Sequence, residues 1–289
     1  MKIQEISGKT GLICLLGSPV SHSISPLMHN EAFRLRGLDY AYLCFDISEH
    51  EMEEAVSALK LLGARGFNCT MPDKIRMAEL ADELSDAARL IGAVNTVVIE
   101  DGRLIGHNTD GIGYMRSVKE NGYDILGQKM TLLGAGGAAT AIAVQAALDG
   151  VSEIALFNRK GRSWGRAEQL AAKLNQDTDC KVTLCDLEDA DALAGQLKES
   201  VILTNATSVG MASHEDSSPI RDPRMLREDL IVSDVIYNPR ETRLLAEARE
   251  RGCRTFNGLY MLLYQGAAAF ELWTGESFPL EEVKEKYFQ

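Results

Sequence analysis

The sequence predicts an α/β fold in two domains, the second of them a doubly wound parallel sheet. Three observations carry that reading. Short apolar runs alternate with segments of helical period along most of the chain. From residue 129 onward the strand-like runs become almost continuously apolar, as strands covered on both faces must be. Between one such run and an alanine-rich helix lies Leu132-Leu133-Gly134-Ala135-Gly136-Gly137-Ala138-Ala139, a glycine turn in the place where such a sheet binds phosphate.

The elements follow in order. Residues 10–16 read as a strand ending at Gly17-Ser18-Pro19, and Pro26 opens an apolar-periodic helix through Leu27, Ala32, Phe33 and Leu35. A second strand is expected at 41–45. A helix follows at 51–62, with Met52, Ala55, Val56 and Leu59 on one face and charged residues on the other. Residues 66–70 and 94–99 add two strands around a helix at 75–91. Further strands are expected at 130–133, 153–157, 181–184, 201–205 and 231–236, with intervening helices ending at Asp149 and Asn175. The segment 258–274 is apolar over most of its surface and reads as a buried helix that packs back on the first domain. A chain of 289 residues exceeds one compact domain. The expected division is a substrate-binding domain of 1–113 with 254–289, and a dinucleotide-binding domain of 114–253.

A formal charge of −12 excludes a basic face for nucleic acid and leaves little attraction to anionic membranes, so an anionic ligand needs a local positive site. The six cysteines are scattered without a C-x-x-C pair and are expected as reduced, mostly buried thiols. His22, His29, His50, His107 and His214 are dispersed, and no metal is expected. The opening residues Met1-Lys2-Ile3-Gln4-Glu5 lack the pattern of a signal peptide, and no apolar run approaches the ~20 residues of a membrane span. The expected location is the cytoplasm.

Gly134-x-Gly136-x-x-Ala139 fits the dinucleotide fingerprint of a Rossmann-like domain. Gly134 permits the tight turn, Gly136 lets the backbone approach a pyrophosphate, and Ala135, Gly137 and Ala138 lead into the positive end of the helix. An enzyme using NAD usually places an acidic residue about twenty residues further on, at the ribose 2′-hydroxyl. This chain has Asn158-Arg159-Lys160. Those cations suit the 2′-phosphate of NADP through charge-assisted bonds of about 1.5–3 kcal/mol. NADP is the expected cofactor, with NAD as the alternative; the plainer reading of the pair is a solvated basic surface.

The first domain carries polar runs at strand ends and helix starts. They are Ser21-His22-Ser23-Ile24-Ser25-Pro26, Asn68-Cys69-Thr70-Met71-Pro72-Asp73-Lys74, Gly92-Ala93-Val94-Asn95-Thr96 and Gly106-His107-Asn108-Thr109-Asp110-Gly111. Loop hydroxyls and amides grip polyhydroxylated ligands, although each run taken singly also serves as a cap or turn. Together with Asn205-Ala206-Thr207-Ser208-Val209-Gly210-Met211, Tyr237-Asn238-Pro239 and Gln265, these motifs resemble the shikimate dehydrogenase family, most closely its quinate/shikimate dehydrogenase branch.

That resemblance implies a reversible NADP(H)-dependent reduction of 3-dehydroshikimate to shikimate, an oxidoreductase step of chorismate and aromatic amino-acid biosynthesis. It implies Lys74 and Asp110 as the catalytic pair, and Ser23, Ser25, Tyr42, Thr70, Asn95, Thr109 and Gln265 around the substrate. It adds Thr207, Ser208, Val235, Tyr237 and Gly258 to the cofactor site. When hydride reaches the ketone carbon its oxygen becomes an alkoxide, which a cationic donor such as Lys74 stabilises and protonates, with Asp110 orienting the ammonium. Serines at both ends of Ser23-Ile24-Ser25, with Thr70, resemble the shikimate-preferring pattern. Lys160-Gly161-Arg162 stands where the branch often has an acidic residue, and Ser208 where it can have lysine. The alternatives are a quinate/shikimate dehydrogenase using both cofactors and a non-catalytic ligand-sensing module. The branch implies a monomer or homodimer, the homodimer being favoured.

Overall fold

A computed structural model describes residues 5–212 and 214–289; most of the opening segment read above for a leader lies outside the described residues. The chain forms two compact units, Met1–Thr109 with Leu263–Gln289, and Asp110–Leu262.

In the first unit β1 (Gly11–Gly17), α1 (Ser25–Arg36), β2 (Tyr40–Asp46), α2 (Met52–Leu61) and β3 (Gly66–Cys69) wind three parallel strands with β1 in the middle. Next come α3 (Lys74–Leu80), the two-residue β4 (Glu83–Leu84), α4 (Asp86–Ile91), β5 (Thr96–Glu100) and β6 (Arg103–His107). The sheet order is β2-β1-β3-β5-β6-β4, and β5 runs antiparallel to both β3 and β6. One face is sealed by Cys14, Leu16, Met52, Val56, Phe67, Met77, Val97 and Leu104.

Two expectations change here. The helix expected at 75–91 is two helices, because Ala81 turns to extended backbone, Asp82 Oδ2 accepts the Leu104 N–H at 2.7 Å, and Ser85 caps α4 by accepting from Ala88 N. Residues 103–107, of which only Gly106 and His107 are read above, as the start of a polar run, form the second arm of a hairpin. Its turn is Asp101-Gly102, both at positive φ, the pairing that a two-residue hairpin loop favours.

The second unit runs α5 (Asp110–Glu120), β7 (Lys129–Leu133), α6 (Gly137–Asp149), β8 (Glu153–Asn158), α7 (Trp164–Asp177), β9 (Lys181–Asp186), α8 (Ala190–Glu199), β10 (Ile202–Asn205), β11 (Ile231–Asp234), α9 (Arg243–Glu250) and β12 (Arg254–Phe256). Its six strands, ordered β12-β11-β10-β7-β8-β9, are all parallel. This is the doubly wound sheet, and its order reverses between β7 and β10, where such sheets bind their ligands. Leu133, Phe157, Leu203, Val232, Leu244 and Ala248 lie in its core.

The units divide between Thr109 and Asp110 rather than after 113, because α5 packs on α6 from its first turn: a Cβ on Gly111 would stand 2.3 Å from the Ala141 carbonyl oxygen. They divide again inside α10 (Leu259–Thr274), since β12 adds to β11 and keeps 254–262 with the parallel sheet. From Leu263 the helix belongs to the first unit. Trp273 Nε1 donates to the Val97 carbonyl at 2.9 Å, Arg65 Nε donates to the Trp273 carbonyl at 2.8 Å, and a Cβ on Gly66 would meet the indole at 2.6 Å. A last helix, α11 (Leu280–Tyr287), places Lys286 3.0 Å from Glu31 on α1. All six cysteines are free, and no helix among the described residues is long and apolar enough to cross a membrane.

Candidate active site

In the second unit the glycine turn sits at the switch point. Leu133 ends β7 in register with Asn205 at the end of β10, and Asn205 is in register with Asp234 at the end of β11. Gly134 has φ +104°, and a Cβ there would lie 2.9 Å from the Ala206 carbonyl oxygen, so the turn after β7 and the loop after β10 approach as only glycine allows. Around Gly136 and Gly137 the opposite holds: a Cβ on either would meet nothing within 4 Å. Among the described residues no side chain caps the N-terminus of the thirteen-residue α6, and the room beside Gly136 and Gly137 fits a pyrophosphate.

The other expected cofactor residues lie at or just beyond the C-terminal ends of β8, β10, β11 and β12. Asn158 ends β8 buried, its Nδ2 donating to Ser163 Oγ at 3.0 Å and the Arg159 carbonyl at 3.2 Å. Arg159 and Lys160 are exposed beyond it, with Lys160 Nζ 3.5 Å from Asp186 Oδ2 on the neighbouring strand end. Thr207 Oγ1 donates to Asn205 Oδ1 at 2.7 Å, while Ser208 and Tyr237 are exposed. Gly258 lies so close to Val235 that a Cβ would stand 1.9 Å from its carbonyl oxygen.

In the first unit a buried hydrogen-bond chain crosses the strand ends. The Tyr42 hydroxyl donates to Asn68 Oδ1 at 2.7 Å, and Asn68 Nδ2 donates to the Asn95 carbonyl and to Thr96 Oγ1, each at 3.0 Å. Asn95 Nδ2 donates to Thr109 Oγ1 at 3.0 Å, while its Oδ1 accepts the Thr109 N–H at 2.8 Å. Burial pushes the Tyr42 hydroxyl well above the usual phenol range, opposed in part by a hydrogen bond with Ser25. Ser25 N–H donates to Ser23 Oγ at 3.2 Å, which folds the Ser-Ile-Ser loop on itself at the start of α1. Thr70 follows β3 with its Cγ2 against Gly17, where a Cβ would come within 2.4 Å of it.

Lys74 is the first residue of α3 and half-buried; its carbonyl accepts the Val94 N–H at 2.8 Å. Asp110 is the first residue of α5, and Gln265 sits half-buried in α10. The structure thus brings Tyr42, Asn95 and Thr109 into one network, Ser23 and Ser25 into one loop, and Thr207 against the Gly134 turn.

Sequence reasoning gave Asn68 and Asn205 no role of their own, although each opens a quoted motif, and it did not single out Asp234. Asn68 is the next-to-last residue of β3, and Asn205 and Asp234 each end an apolar run, so a polar residue near a strand end was the available signal. Asp234 is 1% exposed, and burial pushes its carboxyl up to about 6 against hydrogen bonds from Asn205, the Ile236 N–H and Thr242.

A parallel sheet with an open glycine turn at its switch point, joined in sequence to a unit with a buried amide and hydroxyl network, defines a two-unit dinucleotide-binding α/β protein. The model for the shikimate dehydrogenase substrate binding domain matches residues 15–97, and that for the shikimate 5'-dehydrogenase C-terminal domain matches 258–286. A Listeria monocytogenes serotype 4b (strain F2365) protein named shikimate dehydrogenase (NADP(+)) is 53% identical over 285 residues, 99% of this chain and 98% of that protein. The crystal structure of shikimate 5-dehydrogenase from Listeria monocytogenes in complex with shikimate and NAD superposes with a TM-score of 0.96 at 52% identity, covering 99% of both chains. Quinate dehydrogenase from Corynebacterium glutamicum in complex with NAD gives 0.86 at 31% identity, covering 96% of this chain and 99% of that one. The chain belongs to the shikimate dehydrogenase family.

Proposed function

We propose that this protein catalyses the reversible NADP(H)-dependent reduction of 3-dehydroshikimate to shikimate. The buried chain from Tyr42 through Asn68 and Asn95 to Thr109 carries the reading. Each of these groups is paired within the row, which fixes the orientation of its amides and hydroxyls, and amides and hydroxyls so fixed suit a ring bearing several hydroxyls. The name of the Listeria relative and the shikimate held by the Listeria structure support the same substrate.

In this reading Ser23 and Ser25 bind the substrate carboxylate, while Tyr42, Thr70, Asn95, Thr109 and Gln265 orient the ring. Lys74 protonates the carbonyl oxygen during reduction and, as the neutral amine, takes that proton back during oxidation; Asp110 orients it and sets its proton affinity. NADP(H), which supplies or accepts the hydride, is held by residues 134–138, by Asn158, Arg159 and Lys160 at the ribose phosphate, and by Thr207, Ser208, Val235, Tyr237 and Gly258. We further assign the enzyme to the cytoplasm, to aromatic amino-acid biosynthesis and to a homodimer, the last tested by light scattering of the eluting protein.

One observation favours a second reading, a quinate/shikimate dehydrogenase that also uses NAD: Asp186 stands 3.5 Å from Lys160 and competes for a cation that a 2′-phosphate would use. The test of the first reading is NADP reduction by the purified protein with shikimate. Turnover supports it; binding of both ligands without turnover converts it to a ligand-sensing module.

A further inference from the structure

Asp234 is a buried carboxylate that the proposed reaction does not use. Four hydrogen bonds converge on it. Asn205 Nδ2 lies 3.1 Å from each of its oxygens, Thr242 Oγ1 donates to Oδ2 at 2.8 Å, and the Ile236 N–H donates to Oδ1 at 3.0 Å. Asn205 in turn holds the loop after β10. Its Oδ1 accepts the Thr207 N–H at 3.1 Å and the Thr207 hydroxyl at 2.7 Å, and its Nδ2 also donates to the Val209 carbonyl at 3.1 Å. Thr207 Oγ1 closes the ring by accepting the Val209 N–H at 3.1 Å. The loop so held is the one whose Ala206 carbonyl and Thr207 methyl stand against Gly134.

The orientation of Asn205 depends on the charge behind it. A carboxylate accepts only, so it fixes the amide with Nδ2 inward and Oδ1 toward Thr207. Replacing it with an amide leaves one oxygen for Asn205 Nδ2 and sets an NH2 group where the other stood, so the two-oxygen hold on Asn205 is lost and its grip on Thr207 is weakened. A buried carboxylate is a poor device for stability alone, since an apolar residue of similar volume serves as well or better. Asp234 stands behind Asn205, which holds the loop whose Ala206 carbonyl and Thr207 methyl meet the glycine turn, and that link indicates a use in ligand binding.

We propose that Asp234 is a positioning residue for the cofactor, holding residues 206–210 through Asn205 in the shape that receives the nicotinamide half of NADP. The proposal rests on the cofactor reading given above.

The test is Asp234→Asn, with NADPH binding followed by fluorescence titration and steady-state rates measured in parallel. The loss of an oriented, charge-assisted contact corresponds to a rise of at least about tenfold in the NADPH Kd and the NADP KM, with the shikimate KM held within about twofold. Asn205→Ser removes the link itself and is expected to give a similar rise, and the double variant is expected to fall well short of the product of the two. Thr131→Val, which removes a buried 2.8 Å contact with Ser200 elsewhere in the same sheet, serves as the control for lost stability and is expected to leave the NADPH Kd unchanged. Wild-type NADPH affinity in Asp234→Asn with only a lowered melting temperature would overturn the proposal, as would an equal loss in Thr131→Val or full additivity of the pair. Failure of the wild type to oxidise shikimate would count against the reaction instead, because the NADPH titration reads the loop without it.

Discussion

Asn95 binds Thr109 twice, its Oδ1 receiving the Thr109 N–H at 2.8 Å and its Nδ2 donating to the Thr109 hydroxyl at 3.0 Å. Val94, the residue before it, donates its N–H to the Lys74 carbonyl at 2.8 Å, and Asp110 follows Thr109 in the chain. One short segment therefore ties down the backbone at Lys74 and the backbone next to Asp110.

Asn95→Ala should loosen both. It strands the buried Thr109 N–H, at a cost of about 1–3 kcal/mol, so the urea midpoint should fall with its slope unchanged. The shikimate KM should rise as well. An unaltered midpoint would show that the contact contributes nothing.

Lys74→Ala should lower turnover by about 10²–10⁴, the scale of a positioned general acid, while NADPH affinity stays near the wild-type value. Near-normal turnover would remove Lys74 from the reaction.

Arg159→Ala should raise the NADP KM by about ten- to hundredfold, the equivalent of one charge-assisted bond, and leave the NAD KM unchanged. Equal effects on the two cofactors would show that Arg159 does not meet the 2′-phosphate.

The parallel sheet was legible because strands such as Leu132-Leu133 and Ile154-Ala155-Leu156 are buried on both faces and leave a continuous apolar signal. Strands at the sheet edge do not. β12, of three residues, contains Arg254 and Thr255 and needs only one neighbour. The hairpin of β5 and β6 was signalled by Asp101-Gly102, which the strand reading stopped short of. In the site, local motifs pointed to Ser23, Ser25 and Asn95. The contacts of Asn68 with Tyr42 and of Asn205 with Asp234 span 26 and 29 positions, and only the register of the folded strands makes them.

His29 makes a prediction about acid stability. Its ring is buried, stacks on Tyr42 with centroids 4.6 Å apart, and neither ring nitrogen has a hydrogen-bond partner among the described residues. Burial pushes its pKa down from 6.5 to about 3. The unfolded chain therefore takes up the proton first, so this stabilisation is full above pH 6.5 and is lost as pH falls toward 3. Between pH 6.5 and 5 the loss is about 2 kcal/mol, and His29→Phe should remove that part of the pH dependence. Unfolding curves of the two proteins that decline in parallel would contradict it.

The central claim concerns substrate and cofactor together, and a four-way comparison of initial rates tests it most directly. With shikimate or quinate against NADP or NAD, the shikimate and NADP combination should give the highest kcat/KM. A clear preference for NAD, or for quinate, would contradict the roles given to Arg159 and to the Ser23-Ile24-Ser25 loop.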